Sequence, residues 1–197
     1  MNDERSDADL LQAHVAGDPH AFGVLFARHR DRLWAVALRT AGGPDDAADA
    51  LQDAMVAAFR RAGSFRGEAA VTTWLHRIVV NACLDQHRRR RNKPTTTWIE
   101  SLHETAHTGD DMANRELQIE LEKALSSLPD DQRAAIVLVD VEGYGVDEAA
   151  AILGCPPGTV KSRCSRGRAK LAKQLGAVRN PDAQPGVLPE KQGGGGT

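Results

Sequence analysis

The sequence predicts an all-α protein made of two small helical domains joined by a flexible linker, and three observations predict it. Apolar residues make up 41% of the 197-residue chain but aromatics only 4%. That balance suits Ala- and Leu-rich helices better than sheets, which favour Val, Ile and aromatic side chains. Apolar residues also recur at helical spacing over long stretches, and Gly/Pro clusters interrupt them. Finally, composition shifts after Arg91, where a segment rich in Thr, His, Pro and acids divides two helical halves.

The first half, residues 8–91, holds four helices. Leu10, Leu11, His14 and Val15 form the first apolar stripe, and Gly17-Asp18-Pro19 stops it. Phe22, Leu25, Phe26, His29, Leu33, Trp34, Ala37 and Leu38 form the second stripe, broken by Gly42-Gly43-Pro44. A third helix from about residue 45 to 62 turns Leu51, Met55, Ala58 and Ala62 inward. A loop over residues 64–70 leads to a fourth helix, from about 71 to 90, whose Trp74, Leu75, Ile78, Val79 and Ala82 face the others. Four such amphipathic helices bury a core against one another. Residues 92–113, with Pro94, Gly109 and a Thr run, make the linker, with Trp98-Ile99 as one docked patch. Helices resume near Asn114 and run to about Val178. The stretch 179–197 holds Pro181, Pro185, Pro189 and four successive glycines, the composition of a disordered tail.

The formal net charge of −2 hides a strong pattern. Between Gly42 and Ala58 stand four acids (Asp45, Asp46, Asp49, Asp53) and no base. Five of the six residues from Arg88 to Lys93 are basic, and Cys155 to Leu175 holds six bases and no acid. A solvated helix face ordinarily mixes signs at helical spacing. Opposite signs sorted into separate surfaces suit two partners of different charge. Three scattered cysteines (Cys83, Cys155, Cys164) do not make a disulfide scaffold, which points to a reducing cytosol. The acidic N-terminus is unlike a signal peptide, and no apolar run approaches the roughly 18 residues of a spanning helix. A cytoplasmic protein without membrane insertion is expected.

The sharpest local signal lies in the second half. Val146–Leu153 is a short helix, Gly154-Cys155-Pro156 a tight turn, and Pro157 stands at the first position of another helix. That helix puts Val160, Cys164, Gly167 and Leu171 on one side, and Lys161, Ser162, Ser165, Arg166 and Arg168 on the others. Two helices joined by a short Gly-containing turn make a helix-turn-helix, whose second helix enters the major groove of DNA. The free N–H groups near Gly158 and Thr159 favour a phosphate. A plain helical hairpin with a basic outer face is the ordinary competitor. It does not call for this turn chemistry and this charge together.

Other chemistry is weak. His76, Cys83 and His87 share the fourth helix, but structural zinc takes four ligands in close pairs. No nucleophile–base pair, Gly-rich phosphate loop or paired carboxylate motif is present. Neither an enzyme, a metal site nor a cofactor is expected.

Leu128-Pro129-x-x-Gln132-Arg133, Gly143-Tyr144, Glu148-Ala149-Ala150 and Gly158-Thr159-Val160-Lys161-Ser162-Arg163 resemble the fourth domain of extracytoplasmic-function (ECF) sigma factors, group IV. Asp49-Ala50-Leu51-Gln52-Asp53 with Phe59, then Phe65-Arg66-Gly67-Glu68, Thr73-Trp74-Leu75, Arg77-Ile78 and Asn81, resemble the second domain of the same family, in its order and spacing. The resemblance implies a sigma domain 2 helix bundle and a sigma domain 4 helix-turn-helix. It assigns Asp49, Gln52 and Asp53 to the clamp coiled coil of the largest subunit of core RNA polymerase. Their i, i+3, i+4 spacing does put them on one helix face. It assigns Phe65, Arg66, Thr73, Arg77, Asn81 and Arg88 to the minus-ten element, bound as single-stranded DNA with one base flipped out. Trp74 is expected in the core, because it is spaced with Ile78. Thr159, Lys161, Ser162, Arg163, Ser165 and Arg166 are assigned to the duplex minus-thirty-five element. The family further implies stress-responsive transcription initiation and an anti-sigma partner. The rival reading is a helix-turn-helix regulator with an N-terminal helical sensor or interaction domain, which would need neither the acidic helix nor the aromatic-basic segment.

Overall fold

The computed structural model describes residues 4–91 and 112–179. Most of the expected linker, with Trp98-Ile99, and nearly all of the expected tail lie outside the described residues. In chain order the helices are α1 (Asp7–Val15), α2 (Ala21–Ala41), α3 (Pro44–Arg61), α4 (Val71–Arg91), α5 (Met112–Ser126), α6 (Asp130–Ile136), α7 (Val146–Leu153) and α8 (Pro157–Arg179). A 3-10 turn, Ala62–Ser64, follows α3, and a π turn, Val137–Val141, continues α6. No strand occurs among the described residues.

Helix ends sit where local chemistry puts them. Ser6 caps α1 by accepting from the Asp9 N–H, and Asp9 returns a bond to the Ser6 N–H. Asp18 accepts from the N–H groups of His20 and Ala21 and so starts α2. Gly42 ends α2 in the left-handed region (φ 77°), and Pro44 opens α3 with Asp45 and Asp46 in its first turn, where carboxylates suit the helix dipole. Gly154 closes α7 at φ 61°.

In the first half, α2, α3 and α4 pack on one another and α1 packs on α2. Leu10, Leu11, Leu25, Leu33, Val36, Leu75, Val79 and Val80 are almost completely buried there. Each fully buried aliphatic side chain contributes on the order of 2 kcal/mol. In the second half, α8 lies against α6 and α7, with Val160 and Cys164 buried. Gly167 lets α8 approach α6 closely: a Cβ there would stand 2.9 Å from Ile136 Cγ1. Gly167→Val will therefore overpack this contact and destabilise the protein by about 1–3 kcal/mol, read as a lower denaturant midpoint.

The two halves do not stand apart. α7 lies against α4, and α6 against the end of α2. A single apolar cluster runs from Leu10 through to Cys164. Sequence periodicity identifies which helix faces are apolar, but it does not say that faces from different halves meet.

Candidate nucleic-acid interface

α3, the loop of residues 65–70 and α4 form the walls of a groove of about 1200 Å³. Five of the six residues assigned to the minus-ten element line it: Phe65, Arg66, Thr73, Arg77 and Asn81. Arg66 and Arg77 are exposed, while Thr73 and Asn81 are half-buried. Trp74 is half-buried: it packs against the core, as its spacing suggests, and also forms part of the groove wall, edge-on to Phe65 at a centroid distance of 5.7 Å. Arg88 is separated from this set. It pairs with Asp85 and edges a small hollow of about 200 Å³ with Pro129 and Asp131.

Gln52 and Asp53 stand on the rim of the same groove, and Asp49 accepts a 3.4 Å bond from Gln86. The expected sorting of charge into separate surfaces does not hold here. The arginines ending α4 lie along the acids of α3, Arg89 on Asp53 at 3.5 Å and Arg90 on Asp46. Burial raises the Asp46 pKa, and the Arg90 charge opposes that rise. The Arg89–Asp53 pair is largely exposed, and such pairs are worth about 0–1 kcal/mol. Both members therefore stay available to a stronger partner. Further along α3, Phe59 is 52% exposed and packs edge-on against Phe22 at 5.2 Å.

On α8, Lys161, Ser162, Ser165 and Arg166 are exposed and Thr159 is half-buried. The six bases of this helix are not all unopposed, as the local sequence suggests, because acids arrive from α6 and the π turn. Arg163 donates to Asp131 at 2.7 Å and to Cys155 Sγ at 3.5 Å. Arg168 grips Asp140 through two bonds of 3.0 and 2.7 Å, and Lys170 donates to the Ser127 carbonyl. These three basic side chains fasten α8 to its scaffold. Lys161 and Arg166 remain as outward cations at the N-terminal half of the helix.

A polar seam between the halves was not legible as such. Arg133, 3% exposed, enters the first domain and donates from Nε to the Thr40 carbonyl at 2.8 Å. Its Nη2 meets Asp130 at 2.8 Å and His87 Nε2 at 3.1 Å. The guanidinium has no acceptor, so the His87 nitrogen must accept. Tyr144 shares a 2.7 Å hydrogen bond with His76 Nδ1, and Arg32 binds Glu142 at 3.1 Å. The one sequence signal for the seam is Arg133 itself, an arginine leading the apolar run Ala134–Val139. His76, His87 and Cys83, the metal-ligand types on α4, are engaged elsewhere: His76 with Tyr144, His87 with Arg133, and Cys83 buried with its thiol pushed up to about 12. Among the described residues no His, Cys, Asp and Glu group could hold a metal ion. None of their helices is long and apolar enough to cross a membrane.

Burial lowers the His76 pKa below its ordinary 6.5, with Glu142 partly opposing. The unfolded chain therefore binds the extra proton more readily. The stability this gives is full above the ordinary value and is lost as pH falls beneath it. Melting temperature will drop from about pH 7.5 to about pH 5.5, and His76→Gln will flatten that slope. An unchanged slope in the variant would show that other groups cause it.

Residues 25–93 match the family model described as Sigma-70 region 2, and residues 118–171 the model described as Sigma-70, region 4. Together these regions define an RNA polymerase sigma factor. The chain belongs to the ECF RNA polymerase sigma factor family. It is 54% identical over 173 residues to the ECF RNA polymerase sigma factor SigM of Mycobacterium tuberculosis strain H37Rv, which covers 88% of this chain and 86% of that relative. The motifs' likeness to an actinobacterial, SigM-like member agrees with that. Among solved structures, the sigma factor RpoE of Bartonella quintana, in complex with the anti-sigma factor NepR, superposes with TM-score 0.63 and 30% identity, covering 80% of this chain and 98% of that one. CnrH in complex with the cytosolic domain of CnrY gives TM-score 0.62 and 32% identity, covering 87% and 97%.

Proposed function

We propose that the chain is the dissociable, promoter-reading subunit of a bacterial RNA polymerase, with no reaction of its own. Asp49, Gln52 and Asp53 dock on the clamp coiled coil of the core enzyme. Phe65, Arg66, Thr73, Arg77 and Asn81 hold the minus-ten strand, with Trp74 as an apolar wall for an unstacked base. Arg88, outside the groove, suits duplex backbone. Lys161, Ser162, Ser165 and Arg166, with Thr159, read the minus-thirty-five element, and Arg163 positions their helix. The protein works in the cytoplasm on the nucleoid, in stress-responsive transcription, and is held in check by an anti-sigma protein. The RpoE structure, solved with the anti-sigma factor NepR, supports that last point.

One observation carries this reading: an acidic docking rim and an aromatic, amide and cationic groove share the same two helices. A simple duplex-binding regulator has no use for that combination. Transcription in vitro with core polymerase and a promoter library tests it, and start-site-selective RNA is the expected product. Duplex binding without any effect on initiation would support the regulator instead.

A further inference from the structure

We propose that Arg89 is an exchangeable cover: in the free factor it sits on Asp53, and core polymerase displaces it onto the DNA strand in the groove. This role rests on the readings of α3 as the docking face and of the groove as a single-strand site. Thr73, Arg77, Asn81, Asp85 and Arg89 recur every four residues along α4, and all of them line the groove. Residues at that interval form one ridge on a helix. Arg89 is therefore the next cation along the row that begins with the minus-ten residues. Asp85, the acid within the row, is paired with Arg88 at 2.9 Å. Gln52, Asp53 and Val56 of α3 line the same groove.

The Arg89–Asp53 contact bridges the two helices at 3.5 Å, and Gln86 donates to Asp49 at 3.4 Å beside it. Both acids of the proposed docking face are thus met from within the chain. Neither contact is firm. Arg89 and Asp53 are 72% and 67% exposed, and Gln86 Oε1 is buried with no hydrogen-bond partner among the described residues. The Arg90–Asp46 ion pair, one residue on, keeps the end of α4 against α3 and Arg89 within reach of both acid and groove. An acidic face takes a basic partner, so a surface that binds Asp53 repels Arg89. The freed guanidinium then meets phosphate, which its planar fork suits. Core enzyme and DNA thereby strengthen each other's binding, as reciprocal linkage requires.

The test uses the full chain and three variants: Arg89→Gln, Arg91→Gln and Asp49→Lys/Asp53→Lys. Thermal melts establish that each is folded. Arg91→Gln removes the same charge two residues on, at the edge of the small hollow beside Pro129. Anisotropy follows binding of labelled factor to core polymerase. It then follows binding of an A/T-rich single-stranded oligodeoxynucleotide to each holoenzyme over a range of salt. Arg89→Gln should bind core about two- to fivefold more tightly, the worth of one exposed pair. Its holoenzyme should bind the oligonucleotide about threefold or more weakly, with a salt slope shallower by about 0.7, one phosphate contact. Opposite signs from one residue are not what a merely structural arginine produces. Arg91→Gln should leave core affinity unchanged. No gain in core affinity for Arg89→Gln, an equal gain for Arg91→Gln, or unaltered oligonucleotide binding overturns the exchange. Native core affinity in Asp49→Lys/Asp53→Lys overturns the docking reading itself. Holoenzyme that binds the oligonucleotide no better than core alone overturns the groove's reading as a single-strand site.

Discussion

Core polymerase will bind the Asp49→Lys/Asp53→Lys variant about a hundredfold more weakly than the native chain, while the variant melts as the native chain does. The magnitude follows from replacing two attractions by two repulsions at the proposed docking face. Close interfacial charge pairs couple by about 1.5 kcal/mol or more, and every 1.4 kcal/mol is tenfold in affinity. Stability should hold because both carboxylates are exposed and their partners are weak, Gln86 at 3.4 Å and Arg89 at 3.5 Å. Exposed substitutions of this kind ordinarily stay within about 0.5 kcal/mol. Equilibrium binding of labelled factor to core enzyme, beside a thermal melt, measures both. Native-like affinity in the variant would remove α3 from the docking surface.

Arg166→Ala will cost promoters their dependence on the upstream element, and Lys161→Ala/Arg166→Ala will do so more severely. One bidentate base contact discriminates by about 1–3 kcal/mol, so each loss is roughly ten- to a hundredfold. Arg163→Ala should behave differently. Its guanidinium is bound to Asp131 and Cys155, so its removal lowers the melting temperature before it alters base preference. The assay is transcription from promoters with single substitutions in the upstream element, beside unfolding curves. If Arg163→Ala relaxed specificity without loss of stability, the division between reading and fastening side chains on α8 would be wrong.

Helix ends were legible because their chemistry is local. Gly17-Asp18-Pro19, Gly42-Gly43-Pro44, and Gly154 with Pro157 each act within a few residues of themselves. The clustering of side chains on α3 was legible for a related reason: helical spacing brings Asp49, Gln52 and Asp53 onto one face whatever the rest does. What failed to show was pairing at a distance. Asp131 and Asp140 neutralise Arg163 and Arg168 from another element, so counting bases along α8 overstated its free charge. Arg89 and Arg90 fold back on the acids of α3 in the same way. Trp74 lay on the boundary between an apolar stripe and a groove, and spacing alone cannot separate those two environments. The π turn after α6 likewise has no local marker, since Val137 to Val141 is as apolar as the helix it continues. Arg133 makes its socket with backbone carbonyls, which no side-chain pattern announces.

The missing methyl at residue 167 has a consequence for how such a protein changes its targets. α8 is seated directly on the Ile136 side chain at this position. If Lys161, Ser162, Ser165 and Arg166 read promoter DNA as proposed, a new set of controlled genes comes from exchanging these outward tips and not from re-aiming the rod that carries them.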